Sequence, residues 1–173
     1  ACLSSSPGDV IALRQRLVEV IDAKWTPKKK RRAVGYVHEI EQLLKKHHPK
    51  LAAVTHVPTN SGLVQPVVAI GRICQGTDTL YLVDACQSAG QMRLDVTQIG
   101  CDFLTATMRK FMRGPRGAGF LYASDRVLES DLELLVPDMR SANWTAPDTY
   151  VHERSARRFE YWEMAPTLML GSK

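Results

Sequence analysis

No stretch of this 173-residue sequence approaches the roughly 18 consecutive apolar residues of a membrane-spanning helix. No membrane partner is expected. The amino-terminal ACLSSSPGDV lacks a basic segment followed by an apolar one, so no secretory signal is read there. Cysteine is scarce and scattered. Cys2, Cys74, Cys86 and Cys101 form no Cys-x-x-Cys pair, and no two histidines stand at zinc-site spacing. Neither a disulfide framework nor a metal site is expected, and a reducing, cytoplasmic compartment fits. Internal repeats and low-complexity tracts are missing as well.

What is present is ordinary for a soluble domain. Hydrophobic residues make up 45% of the chain, and its length suffices for one real core. A start at Ala1 rather than Met suggests a piece of a longer chain. The net charge is +5, but five of the 23 basic residues lie in Lys28–Arg32 alone. The basic balance is therefore local, and that run carries no interleaved aromatic residues. Nucleic acid is not an expected partner. The run reads as a solvated loop or helix start, with a nuclear-import signal and an anionic surface as the alternatives.

Apolar spacing predicts helices over Val10–Asp22 and Arg31–His48, the second ending in Lys45, Lys46, His47 and His48 before Pro49. His47 and His48 read as surface residues. Leu51–Val57 reads as a buried strand, Pro58–Gly62 as a loop, Leu63–Cys74 as a helix and Thr79–Asp84 as the next strand. That order is a βαβ unit. A short helix is expected from Ser88 to Gln91 and a strand from Cys101 to Thr107. A basic loop follows over Arg109–Gly117, then a strand over Ala118–Ala123 and a helix from Asp125 to about Leu135. Pro137–Val151 reads as irregular, and an aromatic segment, Arg157–Met169, follows. Functional loops of such units lie at the carboxyl ends of the strands. Asp84 and Lys110 both fall there, so two opposite charges face one crevice. The glycine-rich GPRGAG precedes a strand, whereas a phosphate cradle follows one and opens a helix, which argues against a nucleotide loop.

VDACQSAGQ followed by DFLTATMRKFMRGPRGAGFLY resembles the class V aminotransferase-like enzymes. These are fold-type I pyridoxal-phosphate proteins that include cysteine desulfurases and isopenicillin-N-epimerase-like enzymes. The likeness runs from about Leu51 to Leu170. THVPTNSGLVQPV and ARRFEYWE look closest to the epimerase-like branch. The implied fold is α/β, three-layered, with a mostly parallel sheet flanked by helices. The implied cofactor is pyridoxal 5'-phosphate. Lys110 matches the lysine that holds its aldehyde as a Schiff base. Asp84 matches the carboxylate against the pyridine nitrogen. Gln87 matches the donor to the ring's phenolic oxygen, and Thr107 a hydroxyl that contacts the phosphate. Thr59 stands where relatives often place an Asn near the ring oxygen. His56 ends the preceding strand and reads equally as a site residue or a structural histidine.

Two departures from the family pattern carry weight. The residue before the lysine is often His in desulfurases and here is Arg109, which can pair with a phosphate or carboxylate but cannot shuttle a proton at neutral pH. Arg158-Phe159-Glu160 resembles the family's Arg-Phe-Glu motif. The Thr that follows in desulfurases, and reaches a partner subunit's phosphate, is replaced by Tyr161-Trp162-Glu163. Cys86 reads as a small buried filler, and Cys74 and Cys101 as core residues.

The family chain is about twice this length, so the resemblance implies a central fragment. Residues 1–50 are expected to be a helical region with a basic run, 51–136 the cofactor-binding core, and 137–173 a segment leading toward a missing small domain. The implied activity is chemistry on an amino-acid substrate by aminotransfer, epimerisation or C–S/β-lysis, in a homodimer. The alternative is a truncated or degenerate paralogue that keeps the fold without catalysis.

Overall fold

The computed structural model describes residues 33–172. The helix expected over Val10–Asp22, the run Lys28–Arg32 and Cys2 lie outside the described residues. The first described element is helix α1, Ala33–His47. It buries Ile40 and Leu44 against the sheet side of the core. His48 ends it in a left-handed conformation, φ 42°, with its N–H returned to the Leu44 carbonyl.

Four strands follow: β1 (Leu51–Thr55), β2 (Leu80–Asp84), β3 (Phe103–Thr107) and β4 (Gly119–Ala123). They lie side by side in sequence order. β1, β2 and β3 are parallel, and β4 returns antiparallel to β3. The mostly parallel α/β architecture expected from the sequence is present. Helices α2 (Val67–Gln75) and α3 (Val96–Ile99) make the two crossovers.

The apolar runs explain β1, β2 and β3, because each buries alternate residues. Ala52, Val54, Tyr81, Val83, Leu104 and Ala106 form one core layer with Val67, Ile70 and Cys74 of α2. Tyr81 is fully buried, and its hydroxyl donates to the Val67 carbonyl at 3.1 Å, tying α2 to the sheet. The opposite sheet face carries a smaller cluster of Phe103, Ala123 and Val127, with Leu80, Leu82 and Phe159 against it.

Four expected elements differ, one of them the turn after β2 described below. The helix read from Leu63 begins only at Val67. Gln65 precedes Pro66, and the residue before a proline is pushed out of helical geometry; its N–H bonds the His56 carbonyl instead. The helix read to Leu135 stops at Leu128, as α4, Asp125–Leu128. The guanidinium of Arg158, 2% exposed, donates to the carbonyls of Val127, Leu128, Ser130 and Glu153 and takes up the groups a longer helix would use. The irregular reading of Pro137–Val151 is also corrected. β5 (Ala142–Ala146) and β6 (Thr149–His152) form an antiparallel hairpin. Trp144 stacks edge-on against Tyr150 across it. A 3-10 turn, Ala156–Phe159, and helix α5, Pro166–Leu170, complete the described residues. None of the described helices is long and apolar enough to cross a membrane.

Candidate functional site

The carboxyl ends of β1, β2 and β3 gather most of the candidate residues. Thr55 is in register with Asp84, and Asp84 with Thr105. Side chains alternate along a strand. Asp84, Thr105 and Thr107 therefore share one face, opposite the layer of Val83 and Leu104. The ladder continues past the strand ends, with His56 N–H bonded to the Asp84 carbonyl and Ala85 N–H to the Thr105 carbonyl. Asp84 is half-buried, and its Oδ1 accepts the Cys86 N–H at 2.9 Å. One carboxylate oxygen is thus fixed by the chain's own turn.

After β2 the chain turns back through residues 86–91. The short helix expected at Ser88–Gln91 is this turn alone, since Gly90 leaves helical geometry at φ 88°. Gln87 projects from it. Its side-chain amide donates to the Thr59 hydroxyl at 2.7 Å, which joins the turn to the loop after β1. Thr59 is exposed and Gln87 half-buried.

Lys110 sits in the loop after β3. Met108 N–H bonds the Ala118 carbonyl, Gly114 N–H bonds the Met108 carbonyl, and Arg113 N–H bonds the Lys110 carbonyl. The loop is therefore closed on itself and hinged on the β3–β4 ladder. Lys110 is half-buried. Neither Asp84 nor Lys110 forms an ion pair with any described residue. Thr107 donates its hydroxyl to the Ala118 carbonyl at 3.4 Å. Arg109 is exposed.

His56 is set apart from this group. It continues the buried alternation of Ala52 and Val54, which places it in the helix-covered layer. Its Nδ1 is 3.0 Å from the hydroxyl of fully buried Ser88, and that hydroxyl also donates to the Ala85 carbonyl. With the Ser88 proton on the Ala85 carbonyl, Ser88 Oγ accepts from an Nδ1–H, which assigns the Nδ1–H tautomer to the neutral ring. Burial pushes the His56 pKa below its ordinary value.

Cys86 differs from the buried filler expected, since it is half-exposed. Its thiol is pushed up in pKa by burial first and then by a hydrogen bond to the Asp84 carboxylate; the Lys110 charge acts in the opposite direction. The thiol therefore lies within the field of both charges. Cys74 and Cys101 are buried as expected, and burial pushes both up to about 11.

Sequence reasoning passed over Ser88 and Gly90. Ser88 left no distinctive signal. A Gly three residues after Gln87 marks a positive-φ position, and an ideal Cβ there would lie 2.6 Å from the Phe111 carbonyl carbon.

The model of the aminotransferase class-V family matches residues 12–160. A probable cysteine desulfurase of Methanothermobacter thermautotrophicus is 42% identical over 111 residues, which cover 64% of this chain and 28% of that protein. Among solved structures, the apo cysteine desulfurase from Thermococcus onnurineus superposes with a TM-score of 0.67 at 28% identity, covering 79% of this chain and 33% of the other. A ureidoglycine–glyoxylate aminotransferase from Bacillus subtilis superposes with a TM-score of 0.52 at 29% identity, covering 54% of this chain and 24% of the other. The chain thus spans about a quarter to a third of the length of these relatives. It belongs to the aminotransferase class-V family.

Proposed function

We propose that this class V member is the cofactor-holding part of a pyridoxal-phosphate enzyme acting on an amino acid. The observation that carries the reading is the pair Asp84 and Lys110, two half-buried opposite charges at adjacent strand ends, neither ion-paired among the described residues. Neither charge is neutralised by an opposite one among the described residues, so both stay available to a ligand. A group that needs a carboxylate at one end and an amine at another suits both. The Gln87 amide and Thr59 hydroxyl, 2.7 Å apart, add donors of the kind a ring oxygen takes. The residues present fit the cofactor.

When bound, pyridoxal phosphate supplies the electron sink for the substrate's α-carbon. Asp84 Oδ1 is oriented by the Cys86 N–H, and the carboxylate would hold a proton at the ring nitrogen. Lys110 Nζ would hold the cofactor through its aldehyde, and the same amine would be the base placed to move a proton at the substrate's α-carbon. Gln87 and Thr59 would hold the ring oxygen. Thr107 and Arg109 would serve the phosphate side, Arg109 as a cation that cannot take a proton. His56 braces the turn that carries Gln87 from the opposite layer.

Arg109 in front of Lys110 favours aminotransfer or epimerisation over sulfur removal. Three further assignments belong to the same reading: a homodimer for the whole protein, residues 51–136 as the cofactor-binding core, and 137–173 as the passage toward a second domain. The experiment is to add pyridoxal phosphate to the protein and to its Lys110→Ala variant. A visible absorbance band in the parent and none in the variant is expected. An equal band in both contradicts the reading.

A further inference from the structure

Two hydrogen-bonded turns meet at the site, and one of their contacts is made by a peptide. The first carries Asp84 and Gln87. It is closed by Ser88 N–H and Ala89 N–H on the Ala85 carbonyl and by Met92 N–H on the Ser88 carbonyl. The buried His56–Ser88 hydrogen bond fixes it from below. The second turn carries Lys110 and is closed by the Gly114-to-Met108 and Arg113-to-Lys110 hydrogen bonds. They touch where Gly90 faces the peptide between Phe111 and Met112. An ideal Cβ on Gly90 would lie 2.6 Å from the Phe111 carbonyl carbon and 2.7 Å from the Met112 nitrogen. Real Cβ atoms do not approach backbone that closely, and a carbonyl carbon cannot swing aside as the end of a long side chain does. Gly90 also has φ 88°, a region that L side chains disfavour. The side chains of Phe111 and Met112 are exposed, so the peptide itself makes the contact.

We propose that Gly90 is a positioning residue for Lys110: its missing side chain lets the lysine loop close onto the turn of Asp84 and Gln87 and so sets the separation of the two charges. This rests on the cofactor reading above. Any side chain at position 90 pushes the 108–114 loop outward as a body, because that loop is cross-bonded at both ends. Lys110 moves with it, while Asp84, Gln87 and Thr59 stay in place.

Two probes separate these halves. Pyridoxamine phosphate lacks the aldehyde and reads only the non-covalent half. Pyridoxal phosphate also reads the lysine. In Gly90→Ala the dissociation constant for pyridoxamine phosphate should stay within about threefold of the parent, while the rate of forming the borohydride-fixed adduct at Lys110 falls by about 10- to 100-fold, as displacements near 1 Å do. Adduct formation at the parent rate overturns the proposal. So does an equal loss for both probes, which is what general damage to the fold would give. If Gly90→Ala does not fold, Phe111→Gly tests the same contact, since it frees the 111–112 peptide without placing an atom against Gly90. Slowed adduct formation with retained pyridoxamine phosphate binding is again expected, and an unchanged rate overturns the proposal. A parent protein that binds neither probe refutes the cofactor reading itself, a result distinct from either outcome for Gly90.

Discussion

Gln87 donates its side-chain amide to the hydroxyl of Thr59 at 2.7 Å, across 28 residues of sequence. This hydrogen bond joins the turn after β2 to the loop after β1. It also leaves the Thr59 hydroxyl proton free to donate, because the oxygen is already accepting.

The pair should therefore act as a unit. Thr59→Ala and Gln87→Ala are each expected to weaken pyridoxal-phosphate binding by about 3- to 10-fold, the range of a lost hydrogen bond of roughly 1 kcal/mol. The double variant should be little worse than either single one, giving a coupling of about 0.5–1 kcal/mol in a double-mutant cycle. Dissociation constants from cofactor titration measure this. Strictly additive losses would show that the two side chains act separately.

His56 gives the fold a pH dependence whose sign is fixed. Its folded-state pKa lies below the ordinary 6.5 because burial disfavours the imidazolium. The unfolded chain therefore binds the extra proton first as pH falls. The contribution is fully present above about pH 6.5 and declines as pH drops from there toward the folded-state value. Urea midpoints measured from pH 8 to 5 should fall below pH 6.5, and His56→Gln should flatten that part of the curve. A midpoint with the same slope in the variant would assign the dependence to other groups.

The cysteines should divide by position. Cys74 and Cys101 are buried and pushed up to about 11, so at pH 8 almost none of either is thiolate. Native alkylation followed by peptide mapping should mark Cys86 before Cys74 and Cys101. Pyridoxal phosphate should slow that labelling, because the Cys86 thiol lies against the Asp84 carboxylate. Labelling of Cys86 at one rate with and without cofactor would contradict a ligand in this crevice.

Much of this site was legible because strand ends are legible. The apolar runs before Asp84 and Lys110 fix β2 and β3 within a residue or two, and a βαβ order fixes which end faces the crevice. What failed depended on partners far away in sequence. The end of α4 is set by Arg158, 30 residues beyond Leu128, and no local pattern around Leu128 announces a buried guanidinium. The hairpin of β5 and β6 did have a local signal. Pro147-Asp148 stands between NWTA and TYVH, a turn pair between β-favouring runs. His56 was ambiguous by spacing alone. The alternation Ala52, Val54, His56 settles its layer once the register of β1 against β2 is known. Gly90 matters through a contact with Phe111, 21 positions away, which sequence cannot show.

The central claim is that Lys110 is the amine that pyridoxal phosphate joins. The most direct measurement treats the protein with pyridoxal phosphate, reduces it with borohydride, digests it and maps the modified peptide by mass spectrometry. A pyridoxyl phosphate group on Lys110 is expected. The same group is expected on Lys110 in Asp84→Ala, where turnover of amino acid is lost, because the carboxylate serves the ring nitrogen and not the lysine. A modification spread over exposed lysines such as Lys45 and Lys46, with Lys110 unmodified, would contradict that claim.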